Sequence, residues 1–204
     1  MAKGAKTVFV CGECGYESSK WLGRCPNCES WNTFVEAAPV QQIKKGISSQ
    51  RALPLREVQA DAARRIPSGI GELDRVLGGG IVGGSAVLLG GDPGIGKSTL
   101  LMQMAGSLTN QGSVLYVTGE ESAAQLKLRA QRLGAGGDML LLAETDITVI
   151  ESEIERIKPA FLIIDSIQTM YCPDIASAPG SVSQVREATS YIPRDAKTTS
   201  TAVF

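Results

Sequence analysis

Four of the chain's five cysteines fall in one short stretch, CGECGYESSKWLGRCPNC, as Cys11-x-x-Cys14 and Cys25-x-x-Cys28. Two residues between cysteines let a tight turn aim both sulfurs at one point, and a second such turn completes a tetrahedron. That is the ligand set of structural zinc, closed on all sides, with no position left for a substrate. Gly12, Gly15, Pro26 and Asn27 place turn formers at the bends. A pair of disulfides, or two redox dithiols, is the alternative. Disulfides need an oxidising compartment, and MAKGAKTVFV offers no apolar run of signal-peptide length. So small a module buries little core, and the metal is expected to supply much of its folding energy. Trp21, Trp31 and Phe34 are expected to pack against the knuckles rather than stack on bases.

A second group of residues suits phosphate. Gly91-Asp92-Pro93-Gly94-Ile95-Gly96-Lys97-Ser98 fits G-x-x-x-x-G-K-[ST], and it lies between a strand-like and a helix-like segment, the context this loop requires. Its glycines let backbone N–H groups wrap phosphates, and the helix that follows points its positive end at them. Lys97 is expected to reach the β- and γ-phosphates, Ser98 to ligate Mg²⁺, and Thr99 to add a contact nearer the α-phosphate. Hydrolysis also needs a metal-orienting carboxylate at the tip of a buried strand, and FLIID supplies Asp165, followed by Ser166. A third carboxylate must orient water. VLYVTGEES ends in Glu120 and Glu121, which alternation aims in different directions, so one at most faces the γ-phosphate. Glu120 is favoured, with Glu121 in reserve; the competing reading is that both are solvated or cap the next helix.

The elements that must position these residues follow from periodicity. Residues 1–36 form the cysteine module, and 37–66 show no sustained apolar period and read as a linker. From Pro67 to Phe204 apolar strands alternate with amphipathic helices. A short helix has Leu73, Val76 and Leu77 on one face and stops at Gly78–Gly80. AVLLG (86–90) reads as a strand, then a helix carries Leu100, Met104 and Leu108 on one stripe, its methionines as core filler. VLYVT (114–118), MLLLA (139–143) and FLII (161–164) read as strands, and TAVF begins another. Leu126, Ala130 and Leu133 mark one intervening helix, and Ile147, Ile150, Ile154 and Ile157 the next. This order predicts an α/β fold with a mainly parallel sheet covered on both faces.

Composition narrows the classes. A chain of 204 residues holds one substantial domain and a small appendage. Formal net charge is −1, so any nucleic-acid contact must come from local patches. No stretch reaches the roughly 18 apolar residues of a membrane span, and a cytoplasmic location is expected. The count of histidines is 0, which excludes histidine-based catalysis and leaves Cys172 without an activating imidazole; a buried thiol is expected there.

Taken in order, the cysteine knuckles, SGIGELDRVLGGGIVGGSAVLLGGDPGIGKSTL, VLYVTGEES, IIDSIQTM and PGSVSQVRE resemble the bacterial RadA (Sms) family of recombination and repair ATPases, over essentially residues 1–204. The resemblance implies a zinc ribbon ahead of a RecA-like P-loop NTPase core. It implies ATP hydrolysis coupled to single-stranded DNA, processing of branched recombination intermediates, a ring-shaped homohexamer and a recombinase partner such as RecA. TMYCPDIASAPGSVSQ corresponds to a DNA-facing loop, and the TAVF strand is expected between the phosphate-loop strand and the Asp165 strand. Pro193 falls where the family has a helix and would remove one hydrogen bond. The family also carries further strands, a sensor loop, a Lys-Asn-Arg-Phe-Gly motif and a domain similar to Lon protease, none of them in these 204 residues. The core is thus expected to be C-terminally truncated, with a nucleotide- and DNA-binding fragment without turnover as the alternative function. A circadian-clock-type ATPase shares the paired acids, but the zinc knuckles argue against it.

Overall fold

Alternation governs the sheet of the larger part of the molecule. The computed structural model describes residues 8–37, 54, 57, 65–175 and 177–204; most of the expected linker, 37–66, lies outside these. Three strands pair in the N-terminal part: β1 (Val8–Cys11), β2 (Glu17–Ser18) and β3 (Phe34–Ala37), antiparallel in the order β2-β1-β3 with Cys11 opposite Phe34. Cys11, Cys25 and Phe34 are buried at its centre. Trp21 and Trp31, expected to pack there, do not: they are 52% and 69% exposed. The cysteines and Phe34 already fill the small interior. The Trp21 indole N–H instead donates to the Phe34 carbonyl at 3.2 Å, and Trp31 lies under the Arg24 guanidinium at 5.9 Å.

The second part begins with α1 (Gly71–Val76), then α2 (Lys97–Leu108), β4 (Val114–Thr118), α3 (Ala123–Arg132), β5 (Leu140–Ala143), α4 (Ile147–Ile157), β6 (Phe161–Asp165), α5 (Val182–Thr199) and β7 (Ala202–Val203). The strands are parallel in the order β5-β4-β6-β7. Val114 and Tyr116 of β4, Phe161 and Ile163 of β6, and Ala202 of β7 join one buried cluster with α2 and Leu126 of α3. Leu115, Val117, Leu162, Ile164 and Val203 join the other, with α4 and α5. Successive side chains point to opposite faces, and both faces of β4, β6 and β7 are covered, so these strands are apolar at nearly every position. The edge strand β5, expected to be covered too, leaves Leu140 and Leu141 exposed because it has a neighbour on one side only.

Three expectations need correcting. AVLLG is not a full strand: only Ala86 bridges to β7, at Val203. β7 has two residues, so beyond the Val87 N–H bond to the Val203 carbonyl, at 2.8 Å, no strand among the described residues runs beside 88–90, and Leu88 is 86% exposed. The TAVF segment does lie where expected, paired with β6 and bridged to the phosphate-loop segment. Val76 points outward, 75% exposed, whereas Leu73 and Leu77 pack on the core. In α2 the buried surface is wider than one stripe: Leu101, Met102, Met104, Ala105 and Leu108 are buried, because the helix lies on the sheet and also touches α3. As expected, Pro193 lies within a helix, α5.

Candidate functional site

The two cysteine turns are built alike. Gly15 N–H donates to the Cys11 carbonyl at 2.8 Å, and Glu29 N–H to the Cys25 carbonyl at 2.9 Å. Gly15 and Glu29 both take positive φ, 72° and 62°, so the same left-handed residue closes each knuckle. All four sulfurs lie within 4.8 Å of one another, with Cys11 Sγ 3.6 Å from Cys28 Sγ and Cys14 Sγ 3.5 Å from Cys25 Sγ. A tetrahedral zinc with Zn–S near 2.3 Å sets sulfurs about 3.8 Å apart, so the donor set fits. No disulfide joins them. Burial pushes the Cys25 thiol up to about 11. Burial also acts to raise Cys11, but bonds from the Thr33 hydroxyl and the Cys14 and Glu13 N–H groups outweigh it, giving about 6. Ser30 holds Cys28 below the ordinary thiol range. Cys172 is buried away from this group, and burial raises it to about 11, as an inert thiol requires.

The phosphate loop runs from Gly91 to Thr99, with Gly94 at φ 80° and Gly96 at φ 103°. A Cβ at either would meet nothing within 4 Å, so glycine serves the backbone angle there rather than a tight contact. Gly91, Asp92, Pro93 and Ile95 are exposed on the rim, and Thr99 is exposed in the first turn of the helix. Gly96 begins α2 with no side-chain cap and no acid in its first turn, so the first N–H groups of the helix remain available to an anion. The Lys97 ammonium folds back over the hollow, donating to the Gly91 and Asp92 carbonyls at 2.8 Å each.

Asp165 ends β6 with the same parity as Phe161 and Ile163, which turns it toward α2. There the Ser98 hydroxyl donates to Asp165 Oδ1 at 2.9 Å, joining residues 67 apart in sequence. The buried Tyr116 hydroxyl donates to Asp165 Oδ2 at 2.7 Å. Burial drives the Tyr116 phenol far above its ordinary value, and the Asp165 carboxylate adds to this. Beyond β4 the chain turns at Gly119, where a Cβ would come within 2.7 Å of Thr169 Cβ and 2.8 Å of Thr145 Cγ2. The two acids that follow separate. Glu120 accepts from the Ser166 hydroxyl at 3.0 Å, beside Asp165. Glu121 pairs with Arg129 of α3. Neither caps α3; Ser122 does, in a reciprocal box with Gln125.

Thus Lys97, Ser98, Glu120 and Asp165 converge at the ends of β4 and β6 and the start of α2. Sequence reasoning passed over Tyr116 and Arg129. Signals for both exist: a hydroxyl inside an otherwise apolar strand, and an arginine one helical turn from the buried Leu126. The segment expected to face DNA is held at its base by Gln184, which is fully buried. Gln184 accepts from Cys172 N–H at 2.8 Å and donates to the Ser177 carbonyl at 2.9 Å and the Ile175 carbonyl at 3.1 Å.

Comparison with known proteins meets this geometry at both sites. Residues 9–36 match the rubredoxin metal-binding domain, and residues 50–203, most of the chain, match the AAA domain. The chain belongs to the AAA domain family. As an AAA chain with a cysteine ribbon in front, it is similar to proteins called DNA repair protein RadA. It is 52% identical over 210 residues to that of Streptococcus pyogenes serotype M1, 50% over 214 to that of Listeria monocytogenes serovar 1/2a, and 49% over 218 to that of Bacillus subtilis strain 168. Each match covers 100% of this chain and 46% of the relative, so the chain spans about half the length of the curated relatives it matches. Among the described residues, no helix is long and apolar enough to cross a membrane.

Proposed function

We propose that this protein is a RadA-like, DNA-dependent ATPase of recombinational repair, acting on single-stranded DNA and branched recombination intermediates. The observation that carries the nucleotide reading is the 2.9 Å bond between Ser98 and Asp165, which joins the phosphate loop to the strand-end carboxylate. Similarity to the DNA repair protein RadA supplies the DNA context. Lys97 offsets charge on the β- and γ-phosphates, and the N–H groups of Gly94, Gly96 and the first turn of α2 line the phosphates. The hard oxygen donors of Ser98 and Asp165 suit Mg²⁺. When bound, the ion supplies charge neutralisation on the phosphate oxygens. Glu120, free of Arg129, orients the attacking water by accepting its hydrogen bond. Zinc held by Cys11, Cys14, Cys25 and Cys28 serves the fold of the N-terminal module.

ATP turnover measured with and without single-stranded DNA, in the parent and in Lys97→Ala, tests the reading. Stimulation by DNA and its loss in the variant are expected. ATP binding without turnover at any DNA concentration would favour a nucleotide-holding module. A homohexamer and a recombinase partner such as RecA belong to the same proposal and rest on the family resemblance.

A further inference from the structure

Arg129 stands between two carboxylates of the site. Its Nη2 pairs with Glu121, and its Nη1 faces Asp165 Oδ2 at 3.7 Å. That Nη1 is buried and makes no hydrogen bond, although the arginine side chain is only 20% exposed. Asp165 is itself 14% exposed, with Ser98 on one oxygen and Tyr116 on the other. Three acids, Glu120, Glu121 and Asp165, end two adjacent strands here, and like charges so placed repel. Arg129 is the cation among the described residues that the fold sets against two of them.

We propose that Arg129, together with Tyr116, is a positioning residue: Arg129 draws Glu121 out of the nucleotide site, and the pair fixes Asp165 with its other oxygen on Ser98. This rests on the ATPase reading above. It divides the adjacent acids by role, Glu121 as counter-ion and Glu120 as the acid left in the site. The guanidinium fork spans both carboxylates, which a lysine ammonium at the same position cannot do. Tyr116 lies on the same α2-covered face as Asp165, so the carboxylate is held between a phenol on one oxygen and the Ser98 hydroxyl on the other.

The test titrates Mg²⁺ against the binding of a fluorescent ATP analogue to the parent and three variants. Removing Arg129 alone would leave the partly buried Glu121 charge without its partner, so Glu121→Gln/Arg129→Gln removes both charges together. The other two variants are Tyr116→Phe and Arg129→Lys. The double variant and Tyr116→Phe should each need about tenfold more Mg²⁺ for half of the magnesium-dependent gain in affinity, the usual size of an outer-shell loss. Arg129→Lys should fall between them and the parent, and affinity without Mg²⁺ should be unchanged in all three. A double variant with the parent's Mg²⁺ requirement overturns the role of Arg129. A parental requirement in Tyr116→Phe overturns the role of Tyr116. If the double variant does not fold, Arg129→Lys decides, and a parental requirement there overturns the proposal. A parent whose nucleotide affinity ignores Mg²⁺ overturns the ATPase reading and this inference with it, whereas a responsive parent with unaltered variants overturns this inference alone.

Discussion

Lys97 lies on the carbonyls of its own loop, on Gly91 and Asp92, at the mouth of a helix with no capping side chain. An ammonium so placed can exchange two carbonyl oxygens for phosphate oxygens with little rearrangement. Lys97→Ala should therefore lower ATP turnover about a hundredfold or more, as loss of a charge-stabilising donor does; steady-state hydrolysis measures it, and unchanged turnover removes Lys97 from the site. The adjacent acids allow a sharper comparison. The Glu120 carboxylate accepts from the Ser166 hydroxyl, whereas that of Glu121 is committed to Arg129. Glu120→Gln should keep nucleotide affinity while cutting turnover about a hundredfold, since a water-orienting carboxylate acts in the transition state. Glu121→Gln should cost less turnover and more thermal stability, because it unpairs a guanidinium whose Nη1 is buried. Rate and melting temperature measured on both variants decide the assignment, and the reverse ranking makes Glu121 the acting acid.

At the scale of elements, the apolar runs 114–118 and 161–164 were legible because a parallel strand buried on both faces admits few polar residues. Asp165 was legible for the same reason, as the first carboxylate after such a run. The phosphate-loop strand was misread because its apolar residues match those of its neighbours. Pairing depends on a partner strand, and composition carries no record of one. Trp21 and Trp31 were misplaced because hydrophobicity ranks side chains without saying how much interior exists to take them. Arg129 and Tyr116 escaped because their importance lies in contacts across elements, with carboxylates far away in sequence. Caps, by contrast, are local. Asp146 begins α4, accepting from the Thr148 hydroxyl at 2.7 Å and its N–H at 2.8 Å, and these bonds hold its carboxyl below the ordinary value. A carboxyl depressed in the folded state stabilises above its unfolded value, about 3.9 for aspartate, and that contribution disappears as pH falls through the lower folded value. Asp146→Ala should cost about 1 kcal/mol at neutral pH, the usual loss for an N-cap. The gap between parent and variant in denaturant unfolding should narrow below about pH 4, where the parent's carboxyl also takes up its proton. A gap that stays constant into strong acid shows that the charge of Asp146 does not contribute.

At the scale of the whole molecule, the cysteine ribbon and the AAA part depend on different sources of stability. The three-stranded sheet has only Cys11, Cys25 and Phe34 buried at its centre, and two of these are metal ligands. Such a module cannot offset its chain entropy by burial, so the metal must supply the difference. The parallel sheet has an apolar cluster on each face and no need of zinc. The distribution of chromophores makes the two separately observable. The chain has 2 tryptophans, Trp21 and Trp31, and both lie in the ribbon. All helices among the described residues lie outside it, from α1 onward. Stripping zinc with a strong chelator under reducing conditions should therefore change the tryptophan emission, as the Trp21 bond to the Phe34 carbonyl and the Trp31–Arg24 stack are lost. The far-ultraviolet helix signal and its melting temperature should stay almost constant, and adding zinc back should restore the emission. Cys25→Ser should resemble the chelated protein without any chelator, because it opens the buried side of the tetrahedron. If emission and helix signal fall together on chelation, the two parts fold as one unit and the metal stabilises both; if neither moves, the four thiols hold the ribbon without metal.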